Sequence, residues 1–149
     1  MGQETILSKN PTGVFRKGGS CARPMRLIYQ ILKLMKILFV ENHKIFANLI
    51  TRRLLAQHDV AIVPSLKESR RVLQNDYFDL VLIDYDLDDG KGSELIEELK
   101  TREIVPVIIG ISSHEKGNEI LLNRGADTIC SKKELPDNIN KIIDNLCRD

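Results

Sequence analysis

The sequence predicts an α/β domain, a parallel sheet covered by helices on both faces. Two observations carry this. From Lys36 onward, short apolar runs and helical stretches alternate five times. The runs Ile37-Leu38-Phe39-Val40, Leu80-Val81-Leu82-Ile83 and Val107-Ile108-Ile109-Gly110-Ile111 show no polar alternation, the pattern of strands buried on both faces.

The elements follow in order. After the first run, Ile45, Leu49, Leu54 and Leu55 mark a helical face. Val60–Val63 is the second strand. Ser65-Leu66-Lys67-Glu68 has the form of a capping box, opening a helix to about Asn75. The third strand, Leu80–Ile83, leads to a helix carrying Leu95, Ile96 and Leu99. The fourth, Val107–Ile111, stands behind Pro106 and leads to a helix with Ile120, Leu121 and Leu122, stopped by Gly125. Thr128–Cys130 is a short fifth strand. Pro136 in a first turn starts the last helix, with Ile139, Ile142, Ile143 and Leu146 facing inward.

Composition narrows the function classes. The chain has 149 residues, one ordinary domain with room for a tail, and 42% hydrophobic content is enough for a core. Trp is absent and aromatic content is only 5%, which argues against stacking on nucleic-acid bases. No apolar run is long enough for a membrane-spanning helix. Cys21, Cys130 and Cys147 are odd in number and far apart, which suits inert thiols in a reducing cytoplasm. Residues 1–34 hold six basic residues and one acid, leaving 16 basic against 20 acidic for residues 35–149, a net charge of −4. The folded part is therefore not expected to bind nucleic acid directly. Residues 1–34 lack a period and read as a disordered basic tail or a mis-assigned start, with translation beginning at Met35; Arg26–Lys33 could form a basic amphipathic helix. The domain proper is placed at residues 35–149.

In open parallel sheets, ligands bind at the carboxyl ends of the strands. That edge receives Glu41-Asn42, then Asp84, then Ser112-Ser113-His114, then Ser131-Lys132-Lys133. Acids there can hold a hard cation through oxygens. An ammonium and a hydroxyl can take phosphoryl oxygens, and a carboxylate can be the nucleophile that forms an acyl phosphate. The loop "LIDYDLDDGKG" concentrates four aspartates, Asp84, Asp86, Asp88 and Asp89, in six residues.

The segments "KILFVEN", "DLVLIDYDLDDGKG", "VIIGISS" and "GADTICSKK", in order and in register, resemble the receiver domain of bacterial response regulators over residues 36–147. The resemblance implies a flavodoxin-like (βα)5 fold with strand order 2-1-3-4-5. It implies that Asp84 accepts a phosphoryl group from a histidine kinase or histidine phosphotransferase with Mg²⁺. Ser112 then matches the hydroxyl that binds the phosphoryl group, and Lys132 the lysine that pairs with acceptor and phosphoryl. Glu41, Asn42, Asp84 and the backbone carbonyl of Asp86 form the implied metal set, and His114 sits where the family tunes dephosphorylation.

The chain departs from the family pattern at four positions. Asn42 replaces the second acid after strand one, which predicts weaker Mg²⁺ binding, with Glu41's longer arm as a compensating donor. Asp88 and Lys133 stand where prolines are usual. The second of those prolines commonly accompanies a cis bond at the lysine. Ile129 replaces an aromatic switch residue on strand five, so any signal must be read through another feature of the face made by the last strand and last two helices.

Other readings of the same residues are weaker. As an EF-hand, the loop has Asp89 where glycine is required and Leu95 where glutamate is required. As a P-loop it lacks the first glycine, and Lys91 is not followed by Ser or Thr; no GxGxxG exists. His43, His58 and His114 lack metal spacing. Asp88 and Asp89 read as a solvated loop, Asp79 as a structural end-cap, and Lys133 and Glu134 as surface. Two functions follow. One is a single-domain response regulator, phosphorylated on Asp84, acting through a downstream protein effector or phosphotransfer, with the chain ending just after the last helix. The other is a receiver-like interaction module that works without phosphate. A DNA-binding regulator is a remote third, since no helix-turn-helix follows the sheet.

Overall fold

The structure, a computed structural model, describes residues 34–146. The basic tail, the amphipathic segment Arg26–Lys33, Cys21 and Cys147 lie outside those residues. From Lys36 the elements run β1 (Lys36–Val40), α1 (Lys44–Leu54), β2 (Asp59–Val63), α2 (Leu66–Leu73), β3 (Leu80–Asp84), β4 (Asp86–Leu87), β5 (Gly90–Lys91), α3 (Gly92–Lys100), β6 (Val107–Ser112), α4 (Glu115–Asn123), β7 (Thr128–Ser131) and α5 (Leu135–Leu146).

The main sheet is parallel, in the order β2-β1-β3-β6-β7. Counting main-sheet strands alone, this is the expected 2-1-3-4-5, a flavodoxin-like doubly wound sheet. The antiparallel pair β4–β5 is an addition: it folds the acidic loop into a two-rung hairpin.

Burial follows from strand parity. Leu38, Val40, Val81, Ile83 and Ile108 pack with Leu66 and Leu73 of α2, Leu95, Ile96 and Leu99 of α3, and Leu121 of α4. Alternate residues such as Ile37, Phe39, Leu82 and Ile109 are equally buried on the opposite face, where Phe39 meets Phe46 of α1 edge to face at 6.4 Å. There α1 and α5 contact each other. β2 is an edge strand and only partly buried.

One inward face differs from expectation. On α1 the buried residues are Ala47 and Ile50, followed by Leu55 just past the helix, while Ile45 and Leu49 are 77% and 45% exposed. Both pairs satisfy helical spacing, and the small Ala47 permits the close approach to the sheet. Gly125 follows α4 with φ 119°, a left-handed conformation that suits glycine at a helix stop. Asp79 anchors the start of β1, accepting the Lys36 N–H at 2.8 Å, as its end-cap reading requires. Among the described residues, no helix is long and apolar enough to cross a membrane.

Candidate functional site

The ends of the sheet ladders place the site. Asp84 is the last residue of β3, opposite Ile111, and the next N–H, of Tyr85, donates to the Ile111 carbonyl at 3.0 Å. Glu41 lies one residue past β1, its N–H donating to the Val63 carbonyl at 2.9 Å. Ser112 ends β6 opposite Ser131, and the Lys132 N–H donates to the Ser112 carbonyl at 3.0 Å. Each side chain thus leaves a backbone already fixed by sheet hydrogen bonds, which holds a site more rigidly than a free loop does.

These placements bring Glu41, Asp84 and Lys132 together. Lys132 Nζ lies 2.8 Å from Glu41 Oε2 and 3.3 Å from Asp84 Oδ2. Glu41 and Asp84 are only 1% and 3% exposed. Two buried carboxylates therefore share one ammonium. Burial, and then the Glu41 charge, push the Asp84 carboxyl up from 3.8 to about 6, although Lys132 pulls the other way. At neutral pH Asp84 is thus ionised yet more basic than an ordinary aspartate. Lys132 is steadied by the Phe46 ring, 5.3 Å from Nζ. Ser112 is buried, and its Oγ accepts the His114 N–H at 3.0 Å, which leaves the hydroxyl proton available to donate.

The acidic loop is more structured than its composition indicated. Asp89 is not merely solvated. Its carboxylate accepts the N–H groups of Leu66 and Lys67 at 2.9 and 3.0 Å and so caps α2 from across the fold. These backbone bonds, Leu66 first, hold its carboxyl below the usual range. Ser65 supplies half of the expected capping box, its Oγ accepting the Glu68 N–H at 3.1 Å, while the Glu68 carboxylate pairs with Arg71 instead. We expect Asp89→Ala to cost about 1 kcal/mol, the value of a helix cap, and to lower the melting temperature by a few degrees at pH 7. Because the folded carboxyl is depressed, the contribution is present above the unfolded value and is lost as pH falls through the folded one, so wild-type and variant melting curves should converge in acid, below the ordinary carboxylate range.

Asp88 likewise has a partner, Asn42, whose Nδ2 donates to Asp88 Oδ1 at 2.9 Å. The Asp86 carboxylate is ion-paired with Lys91 across the hairpin. Glu41's longer arm, expected to compensate at the metal position, is already engaged: Oε1 accepts the His43 N–H at 3.0 Å while Oε2 faces Lys132. Among the described residues there is no cis peptide, so Lys132 is presented from a trans backbone with Lys133 in place of proline. Lys133 and Glu134 are exposed, as expected.

Sequence reasoning missed three supporting residues. A Cβ on Gly92 would stand 2.2 Å from the Asp84 carbonyl oxygen, so only glycine lets α3 start against the end of β3. A Cβ on Gly117 would come within 2.5 Å of Ser112 Oγ and 2.9 Å of Tyr85 Cδ2. Tyr85, half-buried after Asp84, thus lies against the first turn of α4, with Lys91 Nζ 4.9 Å from its ring centroid. The signal was present in "GKG" and in an aromatic directly after the strand, but which neighbour each residue meets depends on the strand order.

A family model described as the response regulator receiver domain matches residues 37–144, most of the chain. The chain belongs to this family. Solved receivers share its fold. One from Methanospirillum hungatei is 25% identical with a TM-score of 0.62, covering 75% of this chain and 95% of its own. A Francisella receiver domain is 20% identical with a TM-score of 0.68, covering 76% and 97%. The receiver domain of a sensor histidine kinase from Pseudomonas aeruginosa, described with a magnesium ion coordinated in its active-site cleft, is 21% identical with a TM-score of 0.69, covering 77% and 98%. No curated protein matches the chain.

The donor set of this receiver fits Mg²⁺, the family's usual ion. Among the described residues, no three His, Cys, Asp or Glu side chains form a metal cluster by themselves. Mg²⁺ does not need one: it keeps several waters and takes one or two carboxylates plus phosphate oxygens. Glu41, Asp84 and Asp88 carry three negative charges at this edge against the one positive charge of Lys132. The excess suits a divalent cation held by Asp84, the Asn42 carbonyl oxygen and the backbone at Asp86.

Proposed function

We propose that this receiver accepts a phosphoryl group on Asp84 from a histidine kinase or histidine phosphotransferase and passes the signal to a protein effector by docking or onward phosphotransfer. The observation that carries the reading is the pair of buried carboxylates, Asp84 and Glu41, held by the part-buried Lys132 at the same sheet edge as the buried Ser112 hydroxyl. An Asp84 carboxylate oxygen attacks the donor's phosphorus. The acyl-phosphate P–O bond forms as the donor's P–N or P–O bond breaks, and the leaving imidazole or carboxylate keeps the electron pair. Lys132 faces the oxygens that gain charge, and the Ser112 hydroxyl donates a hydrogen bond to one of them. Mg²⁺, held by Asp84, the Asn42 carbonyl oxygen and the backbone at Asp86, would neutralise charge on the phosphoryl oxygens. The chemistry is limited to the chain's own phosphorylation and dephosphorylation, in a cytoplasmic setting.

Ile129 is partly buried against the core and offers no ring to swing. The readout therefore falls to other groups of the face formed by α4, β7 and α5.

Intact-mass spectrometry after incubation with acetyl phosphate and Mg²⁺ tests the proposal. One phosphoryl adduct is expected on the wild type and none on Asp84→Asn. An unmodified wild type at every Mg²⁺ concentration would reject it in favour of a module that binds partners without phosphate.

A further inference from the structure

The substitutions at positions 42 and 88 are joined in space. Asn42 stands where a carboxylate is usual, and Asp88 stands four residues after the acceptor, where proline is usual. The structure puts the two in direct contact, Asn42 Nδ2 donating to Asp88 Oδ1 at 2.9 Å. An amide that turns its nitrogen to a carboxylate turns its carbonyl oxygen away, free to face a cation.

The other acids of this edge are already engaged. Glu41 is taken up by Lys132 and the His43 N–H, Asp84 by Lys132, Asp86 by Lys91, and Asp89 by two backbone N–H groups of α2. Among the described residues the partner of Asp88 is a neutral amide, which leaves its charge uncompensated there and, because the side chain is exposed, within reach of a hydrated ion.

We propose that Asn42 and Asp88 act as one divided metal ligand: Asn42 supplies the neutral oxygen, and Asp88 supplies the negative charge, directly or through one metal-bound water. The charge removed from the loop after β1 has been relocated to the loop after β3. This inference rests on the receiver reading, and it replaces Glu41 with Asp88 as the group that compensates for Asn42.

Isothermal titration of the full chain with MgCl2 at fixed ionic strength tests it. Asp88→Asn should weaken Mg²⁺ binding about tenfold, the scale of losing a partner that supports a metal ligand. Its melting temperature in EDTA should stay at the wild-type value. Adding Asn42→Asp to Asp88→Asn returns the charge to its usual position and should restore the affinity. Unchanged binding by Asp88→Asn, or no restoration in the double variant, overturns the divided ligand and leaves the receiver reading intact. A wild type that binds no Mg²⁺ and takes no phosphoryl group overturns both.

Discussion

Asp84→Asn should make the metal-free protein more stable. At neutral pH the wild type keeps two buried carboxylates, Glu41 and Asp84, around a single Lys132 ammonium. Removing one negative charge relieves both the repulsion from Glu41 and the cost of burying an ion, while the Lys132–Glu41 pair survives. The sign follows from linkage. The Asp84 carboxyl is raised from 3.8 to about 6 on folding, so the native state binds its proton more tightly than the unfolded chain does. The stability contributed by this group is complete below the unfolded value and is lost as pH rises through about 6. The advantage of Asp84→Asn should therefore be small near pH 4, grow between pH 4 and 6, and stay level above that. Allowing for solvent screening at the open side of the carboxylate, its plateau is on the order of 2 kcal/mol, or roughly 5–10 °C in melting temperature. Urea unfolding in EDTA from pH 4 to 8 measures it. An equally stable variant at pH 8 would contradict a crowded, undercompensated pair of acids.

Lys132→Met should act in the opposite direction and by more. Lys132 is the cation that Glu41 and Asp84 share, and its loss leaves two buried carboxylates facing one another. Breaking a buried pair by removing one partner costs about 3–5 kcal/mol. Here the lower half of that range is expected, because Asp84 can take up a proton. The loss should be larger at pH 8 than at pH 5, where that proton is already bound. In the double variant Asp84→Asn/Lys132→Met, part of the stability should return, since only Glu41 remains charged. A double-mutant cycle by chemical denaturation at the two pH values measures the coupling between the residues. The same lysine faces the phosphoryl oxygens in the proposed reaction, so Lys132→Met should also give no adduct with acetyl phosphate under conditions that modify the wild type.

Residues that leave the sheet at a strand end were legible in the sequence; those placed by cross-fold contacts were not. Asp84, Ser112 and Glu41 were assigned to one edge because each follows an unalternated apolar run, and Lys132 because it follows the short fifth strand; strand order alone then brings them together. Asp89 could not be read this way. It caps α2, more than twenty residues earlier in the chain, and only the β3–α2 neighbourhood joins them. The Asn42–Asp88 contact is of the same kind, spanning 46 residues. The inward face of α1 was misjudged because Ile45 and Leu49 have helical spacing but point away from the sheet. The β4–β5 hairpin has two rungs, too short for any periodicity to reveal.

The acceptor loop is held unevenly. On one flank, Asp88 reaches the loop after β1 and Asp89 holds the start of α2 through two backbone N–H groups. On the other flank, among the described residues, the Tyr85 N–H donates to the Ile111 carbonyl and Asp84 is paired with Lys132, while the Tyr85 ring beyond them only packs against Gly117 near the start of α4. The loop is therefore hinged like a door, latched toward α2 and free toward α4. Bulk or charge arriving at Asp84 meets a stiff wall on one side and a yielding one on the other. Displacement is expected toward α4, so direction is built into the fastening of the loop before any switch residue moves.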